Sequence, residues 1–452
     1  MKFYFVLLLF LVSASNASAQ NSISENYYDI SQKLIAESLK DSSVFDRLTE
    51  LVDRFPARIS GSENLEKAID WIVLEMKKDG FDAVYTQPVM VPKWVRGNEY
   101  CEITSPVTKR IPMIGLGGSV ATPKKGITAE VIVFKSIPEL QANISRVKGK
   151  IVLINQEFES YGKTVAIRSQ SAVEAAKGGA KAAIIRSVAS FSMQTPHTGT
   201  MRYDDAVEKI PTAAISTEDA AWIDRTIARG GKVTLKLYME ARFEKESLSR
   251  NIVAEIKGSE KPEEIVVMGG HIDSWDIGQG AMDDAGGCVV SWEALKLLKK
   301  LNIKPKRTIR AVFWTNEENG LRGGQAYGDS AKAASENHVA AIESDAGVFR
   351  AKGFGFGGKE ENMPVLKEIA KLLSSIEADG ITMGGGGADI GPLMREGVPG
   401  FGLNVNGEKY FWYHHTEADT IDKLDPYEVN TCVAAMTVLS YVLADMPQNL
   451  VR

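Results

Sequence analysis

The chain has 452 residues, 44% hydrophobic and 25% charged, the composition of an ordinary globular protein rather than a disordered one. Its 53 basic and 58 acidic residues leave a net charge of −5 without a basic block, which excludes nucleic acid as an expected partner. Cys101, Cys288 and Cys432 are odd in number and far apart, so they form neither a disulfide framework nor a metal motif; Cys288 and Cys432 lie in apolar helical patterns and read as buried small hydrophobes.

Residues 1–19 read as a signal peptide, with Lys2 as a short basic region, Phe3 to Val12 as the apolar core and Ala17-Ser18-Ala19 as the cleavage site. The apolar run is too short for a membrane span, and no second span is evident. The expectation is an exported protein, secreted or periplasmic. Over 430 residues remain, more than one hydrophobic core usually serves, so two domains are expected.

From Asn26 to Phe55 apolar residues recur at helical spacing. Arg58-Ile59-Ser60-Gly61-Ser62 breaks the pattern, and Glu63 to Lys78 forms another amphipathic helix before Gly80. Strands follow around Ala83 to Met90 and Tyr100 to Thr104. Gly115 to Gly126, rich in Gly, Pro and Thr, suits a domain crossing. Strand and helix then alternate through Ala129 to Phe134, Lys150 to Asn155, the helix Ser169 to Gly178, Ala182 to Ile185 and Ile210 to Ser216. Lys232 to Phe243 and Ser249 to Lys257 read as strands leading back. Within this region Pro196-His197-Thr198-Gly199 is the one tempting polar motif, His197 being either a surface residue or a group that touches substrate.

Ile265 to Met268 is an apolar, β-branched run ended by Gly269 and Gly270, as in a central parallel strand. His271 then sits at the strand's carboxyl end, where open α/β sheets form their ligand crevices, and Asp273 is placed to orient its imidazole. Asp283-Asp284 precede a helix-like Gly286 to Lys300. The strand Thr308 to Trp314 leads to Glu317-Glu318, and Val339 to Ile342 leads to Glu343-Ser344-Asp345. Far downstream lies His414-His415-Thr416-Glu417-Ala418-Asp419-Thr420. Strands that each deliver a carboxylate or imidazole to one edge point to a metal site. Gly384 to Gly387 lack the lysine and hydroxyl of a phosphate loop. The last helix, Pro426 to Asp445, reads as apolar on one face and packed.

The segments HIDSWDIGQGAMDDAGG, FWTNEENG, IESDAG and HHTEADT resemble the co-catalytic zinc exopeptidases related to aminopeptidases, and within that family the carboxypeptidase Q group. GKIVLI, AAKGGAKAAII and IPTAAIS resemble the protease-associated domain inserted in such peptidases; the plainer alternative is one more α/β segment of the same sheet. The resemblance implies an α/β fold: a zinc-exopeptidase-type mixed sheet flanked by helices, with an inserted protease-associated α/β domain. The catalytic domain would occupy residues 20–118 and 246–452, and the insert residues 119–245.

The resemblance further implies two zinc ions per chain. His271 and Asp345 would hold one, Glu318 and His415 the other, and Asp283 would bridge them. Zinc takes imidazole nitrogen and carboxylate oxygen, and a catalytic site keeps one position for water. Glu317, beside a ligand on a strand end where neighbouring side chains diverge, would be the general base acting on a water shared by the metals. Asp284 would follow a cis peptide, and Asp389, after the glycine run, would lie behind the catalytic carboxylate.

The implied activity is hydrolysis of dipeptides or short peptides, as a carboxypeptidase or dipeptidase; aminopeptidase action on the same site is the alternative. A glutaminyl cyclase with one zinc, or a receptor-like binding module, is more remote, because the five ligands, Glu317 and His271-x-Asp273 are all present. Asp389, Arg322, Arg395, His414 and His197 are the candidates for recognising a peptide end. Small peptides are the expected partners, with a homodimer left open.

Overall fold

Four parallel strands, Arg307–Trp314, Lys261–His271, Asn337–Glu343 and Gly400–Val405, form the centre of an eight-stranded mixed sheet in the computed structural model, which describes residues 22–452. The leader read from residues 1–19 lies outside the described residues. Ala83–Val91 and Ser247–Ile256 add antiparallel strands at one edge, and Ala351–Gly357 with Gly380–Met383 complete the other.

The central strands are apolar on both sides because both sides are covered. Val266, Met268, Ala311 and Phe313 enter one core with helices Ile23–Lys40, Ser43–Arg54, Glu63–Lys78, Gly286–Lys300 and Pro426–Asp445. Their alternating neighbours Ile265, Val267, Val312 and Trp314 meet Tyr327, Ala331 and Leu393 on the opposite face. Parallel strands bring their carboxyl ends to one edge, so His271 and the turns after Trp314 and Glu343 share a rim.

Two readings of these elements change. Gly269 and Gly270 do not end the strand, which continues through His271. At Gly270 a Cβ would collide with the Asp284 carboxylate, so the missing side chain admits that acid against the strand. The last helix is not apolar on one face only: Val429 through Ala444 are buried without interruption. It is long and apolar enough to cross a membrane, yet 83% of that window is buried in the protein. Such a helix, hydrophobic all round, is the core helix of a large domain.

A second eight-stranded sheet runs Lys109–Ile111, Glu99–Ser105, Thr234–Met239, Ile127–Phe134, Ile151–Ile154, Ala182–Arg186, Thr212–Ile215 and Met113–Gly115. Two apolar clusters flank it. One contains Ile151, Leu153 and Ile184, and the other Val152, Ile154 and Ile185. The strand read at Tyr100 to Thr104 belongs to this sheet, paired with Thr234–Met239. The chain therefore leaves the first sheet after Val91, ahead of the Gly-rich stretch.

Replacing Leu439, 2% exposed in the last helix, with alanine is expected to cost about 2–5 kcal/mol. Denaturant unfolding of the variant should show a lower midpoint; an unchanged midpoint would contradict a core role for this helix.

Candidate metal and catalytic site

Asp283 lies between two imidazoles. Its Oδ1 is 3.2 Å from His271 Nε2, and its Oδ2 is 3.3 Å from His415 Nε2. His271 Nε2 is also 3.3 Å from Asp345 Oδ1 and 4.0 Å from Glu317 Oε2. His415 Nε2 is 3.0 Å from Glu318 Oε2. The structure thus brings the five expected ligands and Glu317 into one cluster. His414 joins it too, with Nε2 3.6 Å from Asp283 Oδ2 and its ring stacked on His415 at 3.5 Å.

Burial opposes charge on both histidines facing these acids, but the carboxylates prevail. Asp345 and Asp283 hold His271 well above its ordinary range, and Glu318 with Asp283 raises His415 to about 10. Burial lifts Glu318 to about 7. Despite burial, His271 and His415 keep Asp283 well below the usual carboxylate range. Burial and the adjacent His415 push His414 well below 6.5, so it is neutral.

The donor set tests whether a cation fits. Asp283 Oδ2 and Glu318 Oε1 are buried without a hydrogen-bond partner, and His271, Asp283 and Asp345 offer ligand atoms within 4.8 Å of one another, as do Asp283, His414 and His415. Buried carboxylate oxygens left without donors are costly, and imidazole nitrogens combined with carboxylates match zinc. The residues fit the metal.

Backbone donors hold the cluster in place. Asp419 accepts from the N–H groups of Ala281 at 3.0 Å, Met282 at 2.8 Å and Asp283 at 3.2 Å. Asp284, joined to Asp283 by a cis peptide, accepts from His271 N and Gly287 N, both at 3.0 Å. Arg58, fully buried, donates to the carbonyls of Phe55, Ile272, Gln279 and Gly280, tying the Arg-x-Ser-Gly-Ser turn to the loop before Asp283.

Asp273 serves differently from expectation. The His271 ring meets the Asp273 backbone carbonyl through Nδ1 at 2.8 Å, which leaves Nε2 for the cluster. The Asp273 carboxylate instead accepts from Glu317 N at 3.0 Å, Glu318 N at 3.4 Å and Ser60 Oγ at 3.0 Å. Glu317 and Glu318 sit in the turn after the strand that ends at Trp314 rather than on the strand. Their divergence comes from this turn, which the Asp273 carboxylate pins and a left-handed Asn316 opens.

The cluster opens into a cleft of about 790 Å³ lined by Glu317, Asp345, Asn404, Tyr410 and His414 and, from the second sheet's side, by Tyr161, Arg168 and Arg202. His197 does not line it. Its Nδ1 lies 2.7 Å from the His414 carbonyl, and Thr198 N donates to the His415 carbonyl at 3.0 Å. Burial lowers His197 to about 3, so this ring is a neutral support. Arg322 binds the Met90 carbonyl and Glu246, and Arg395 binds Gln325; neither lines the cleft. Asp389 is buried, with burial and the neighbouring Glu343 and Glu317 carboxylates holding its carboxyl well above the usual range. The glycine run packs on the strand Ala351–Gly357 and on Glu343.

Sequence reasoning missed Arg168, and it missed the clamping roles of Arg58 and Asp419. Asp419 stood in view within the final motif. Arg168 carried no local signal, sitting in an ordinary helix more than a hundred residues from any ligand.

Residues 251–440 match the sequence profile described as Peptidase family M28, and residues 107–223 match that of the PA domain. Carboxypeptidase Q of Homo sapiens is 46% identical over 408 residues, 90% of this chain and 86% of the relative. That of Mus musculus is 41% identical over 464 residues, 100% and 99% of the two chains. The crystal structure of a Peptidase M28 precursor from Shewanella amazonensis SB2B superposes with a TM-score of 0.91 at 35% identity, covering 95% of this chain and 99% of that one.

Asp419→Ala would strand three buried N–H groups, each worth about 1–3 kcal/mol when left unpaired. The expected result is a clear drop in the thermal midpoint, whereas wild-type stability would show that this loop is held by something else.

Proposed function

The chain belongs to peptidase family M28 as a carboxypeptidase Q-like zinc exopeptidase, and on that premise we propose that it hydrolyses dipeptides or short peptides at their carboxyl end. The observation that carries the reading is the convergence of His271, Asp283, Asp345, Glu318 and His415 beside Glu317 at the floor of one cleft. His271 and Asp345 would hold one zinc ion, Glu318 and His415 the other, with Asp283 shared. When bound, zinc supplies a Lewis acid for the scissile carbonyl and makes water a nucleophile near neutral pH.

Glu317 is the general base. It takes a proton from the attacking water and returns it to the departing amine. Three features suit it to this work. Its side chain is 21% exposed, its backbone N–H is held by Asp273, and it faces the cleft. Burial raises its carboxyl well above the ordinary range against the pull of His271, which makes it a stronger base toward the attacking water. Neutral His414, on the cleft wall, offers a hydrogen bond to the bound peptide. His197 and Asp389 act behind the wall, His197 on the His414 carbonyl and Asp389 beside Glu343.

Full-length likeness to carboxypeptidase Q supports action at the carboxyl end, as does the presence of two arginines among the cleft-lining residues. Possession of the whole ligand set with Glu317 argues against a receptor-like module. The signal-like residues 1–19 support an exported protein.

Elemental analysis should find about two zinc ions per chain, and a strong chelator should abolish peptidase activity. Trace metal with chelator-resistant activity would overturn the reading.

Glu317→Gln should keep its zinc and lose about 10²- to 10⁴-fold in turnover, while Asp283→Ala should lose metal and activity together. Near-normal turnover in the glutamine variant would remove Glu317 from the base role.

A further inference from the structure

Trp275 is 2% exposed, and its indole N–H has no hydrogen-bond partner among the described residues. Other buried indoles do find one: Trp94 donates to the Ser119 carbonyl at 3.0 Å and Trp292 to Asp79 Oδ2 at 2.7 Å. Trp314 also lacks a partner, but it lies in the apolar cluster with Tyr327, Ile390 and Leu393. A buried donor left unpaired is costly. Nor can the Trp275 ring turn away to find an acceptor. The far edge of its six-membered ring fills the space that a Cβ at Gly117 would need, and the ring meets His415 edge-on at 5.6 Å.

Beside the metal cluster Trp275 lines a cavity of about 10 Å³, together with Asp283, Glu318, His415, Thr416 and Asp419. Two of these residues carry acceptors that have no donor, Glu318 Oε1 and Asp283 Oδ2. The other oxygens are engaged. Asp419 accepts from three backbone N–H groups, and Thr416 Oγ1 donates to the Tyr413 carbonyl at 2.7 Å and accepts from Ala418 N at 3.0 Å. The polar inventory left over is one donor and two acceptors, in a volume near the roughly 10–15 Å³ that a single water needs. A water that accepts once and donates twice satisfies all three, within the usual two to four bonds of an interior water.

We propose that this cavity binds one structural water, which accepts from Trp275 Nε1 and donates to Glu318 Oε1 and Asp283 Oδ2, making Trp275 a positioning residue for the zinc held by Glu318 and His415. The proposal rests on the ligand assignment above. Glu318 turns Oε2 toward His415 Nε2 at 3.0 Å, so a bond that anchors Oε1 fixes which oxygen is presented to the metal. A carboxylate oxygen accepts along two lone pairs, and Asp283 Oδ2 can therefore take the water and still serve the cation. Groups that orient metal ligands in this way typically contribute about 10- to 100-fold in metal affinity. Gly117 lies within the PA domain match, so the inserted domain holds the ring that holds the ligand.

The N–H can be removed without changing the ring's shape by placing 3-benzothienylalanine at position 275, where sulfur stands in for the N–H. Trp275→Phe is the genetically encoded companion. Zinc affinity of wild type and both variants would be measured by competition with a chromogenic chelator, beside the thermal midpoint of each metal-free protein and a high-resolution crystal structure of the zinc-loaded wild type. Wild type should bind two ions and show an ordered water within hydrogen-bond distance of Trp275 Nε1 and Glu318 Oε1. The benzothienyl protein should keep its metal-free midpoint and bind one ion as wild type does, but the other about 10- to 100-fold more weakly; Trp275→Phe should weaken the same ion. Packing alone predicts a different pattern, because the isostere preserves the packing and would bind both ions normally. That result overturns the proposal and leaves the ligand assignment standing, as does a zinc-loaded structure with no water at this position. Wild type that binds fewer than two ions overturns the ligand assignment itself.

Discussion

Asp283 must face two imidazoles at once, and much of the surrounding structure is there to make that possible. Its carboxylate oxygens reach His271 and His415, which come from opposite ends of the catalytic segment of the chain. A side chain in that position cannot be placed by its own rotamer alone. Asp419 gathers three consecutive N–H groups leading into Asp283, Asp284 ties the following residue back to His271 and Gly287, and Arg58 fixes the carbonyls of Gln279 and Gly280. Two acids and one arginine thus act on backbone, none as a ligand. The glycines at 270 and 287 matter for the same reason, because a Cβ at either would strike the Asp284 carboxylate.

Electrostatics explains why so much positioning is needed. Burial lifts Glu317, Glu318, Glu343 and Asp389 above the ordinary carboxylate range, while the histidines draw Asp283 far below it. Acids this close repel one another unless some are neutral or a cation intervenes. Donors pointed at backbone-held positions keep the acids together before any cation arrives, which is the condition for a site with fixed ligand geometry.

The central strands and the polar clusters that follow them are legible in the sequence because each leaves a local trace, whereas the assignment of ligands within those clusters came from the family resemblance. Apolar β-branched runs mark the strands, polar clusters mark their ends, and spacing does not disguise either. Contacts formed only by folding left no such trace. Nothing near Arg322 or Arg395 indicates that both turn to the outer surface, whereas Arg168, in an unremarked helix, enters the cleft. Asp273 illustrates a subtler limit. The sequence places it beside His271, but only the fold reveals that its carbonyl serves the imidazole while its carboxylate serves the Glu317-Glu318 turn. The last helix reads as apolar on one face, yet it is buried all round, because Thr431, Thr437 and Ser440 each satisfy their hydroxyl on a carbonyl of their own helix, so their burial costs little.

The two sheets make one catalytic unit. The second sheet's loop holds the His414 and His415 carbonyls through His197 and Thr198, and Thr200 donates to the Glu318 carbonyl at 2.6 Å. From the other side, Asp276 pairs with Arg96, and the Trp275 ring stands against His415 and occupies the space that a side chain at Gly117 would need. These contacts are mostly buried and polar, so separating the sheets would strand donors and acceptors at about 1–3 kcal/mol each until water reached them. They also converge on the backbone of the very segments that carry His415 and Glu318. Any motion that parted the sheets would therefore pull first on the cluster around Asp283, so the position of the insert and the geometry of the proposed metal site cannot vary independently.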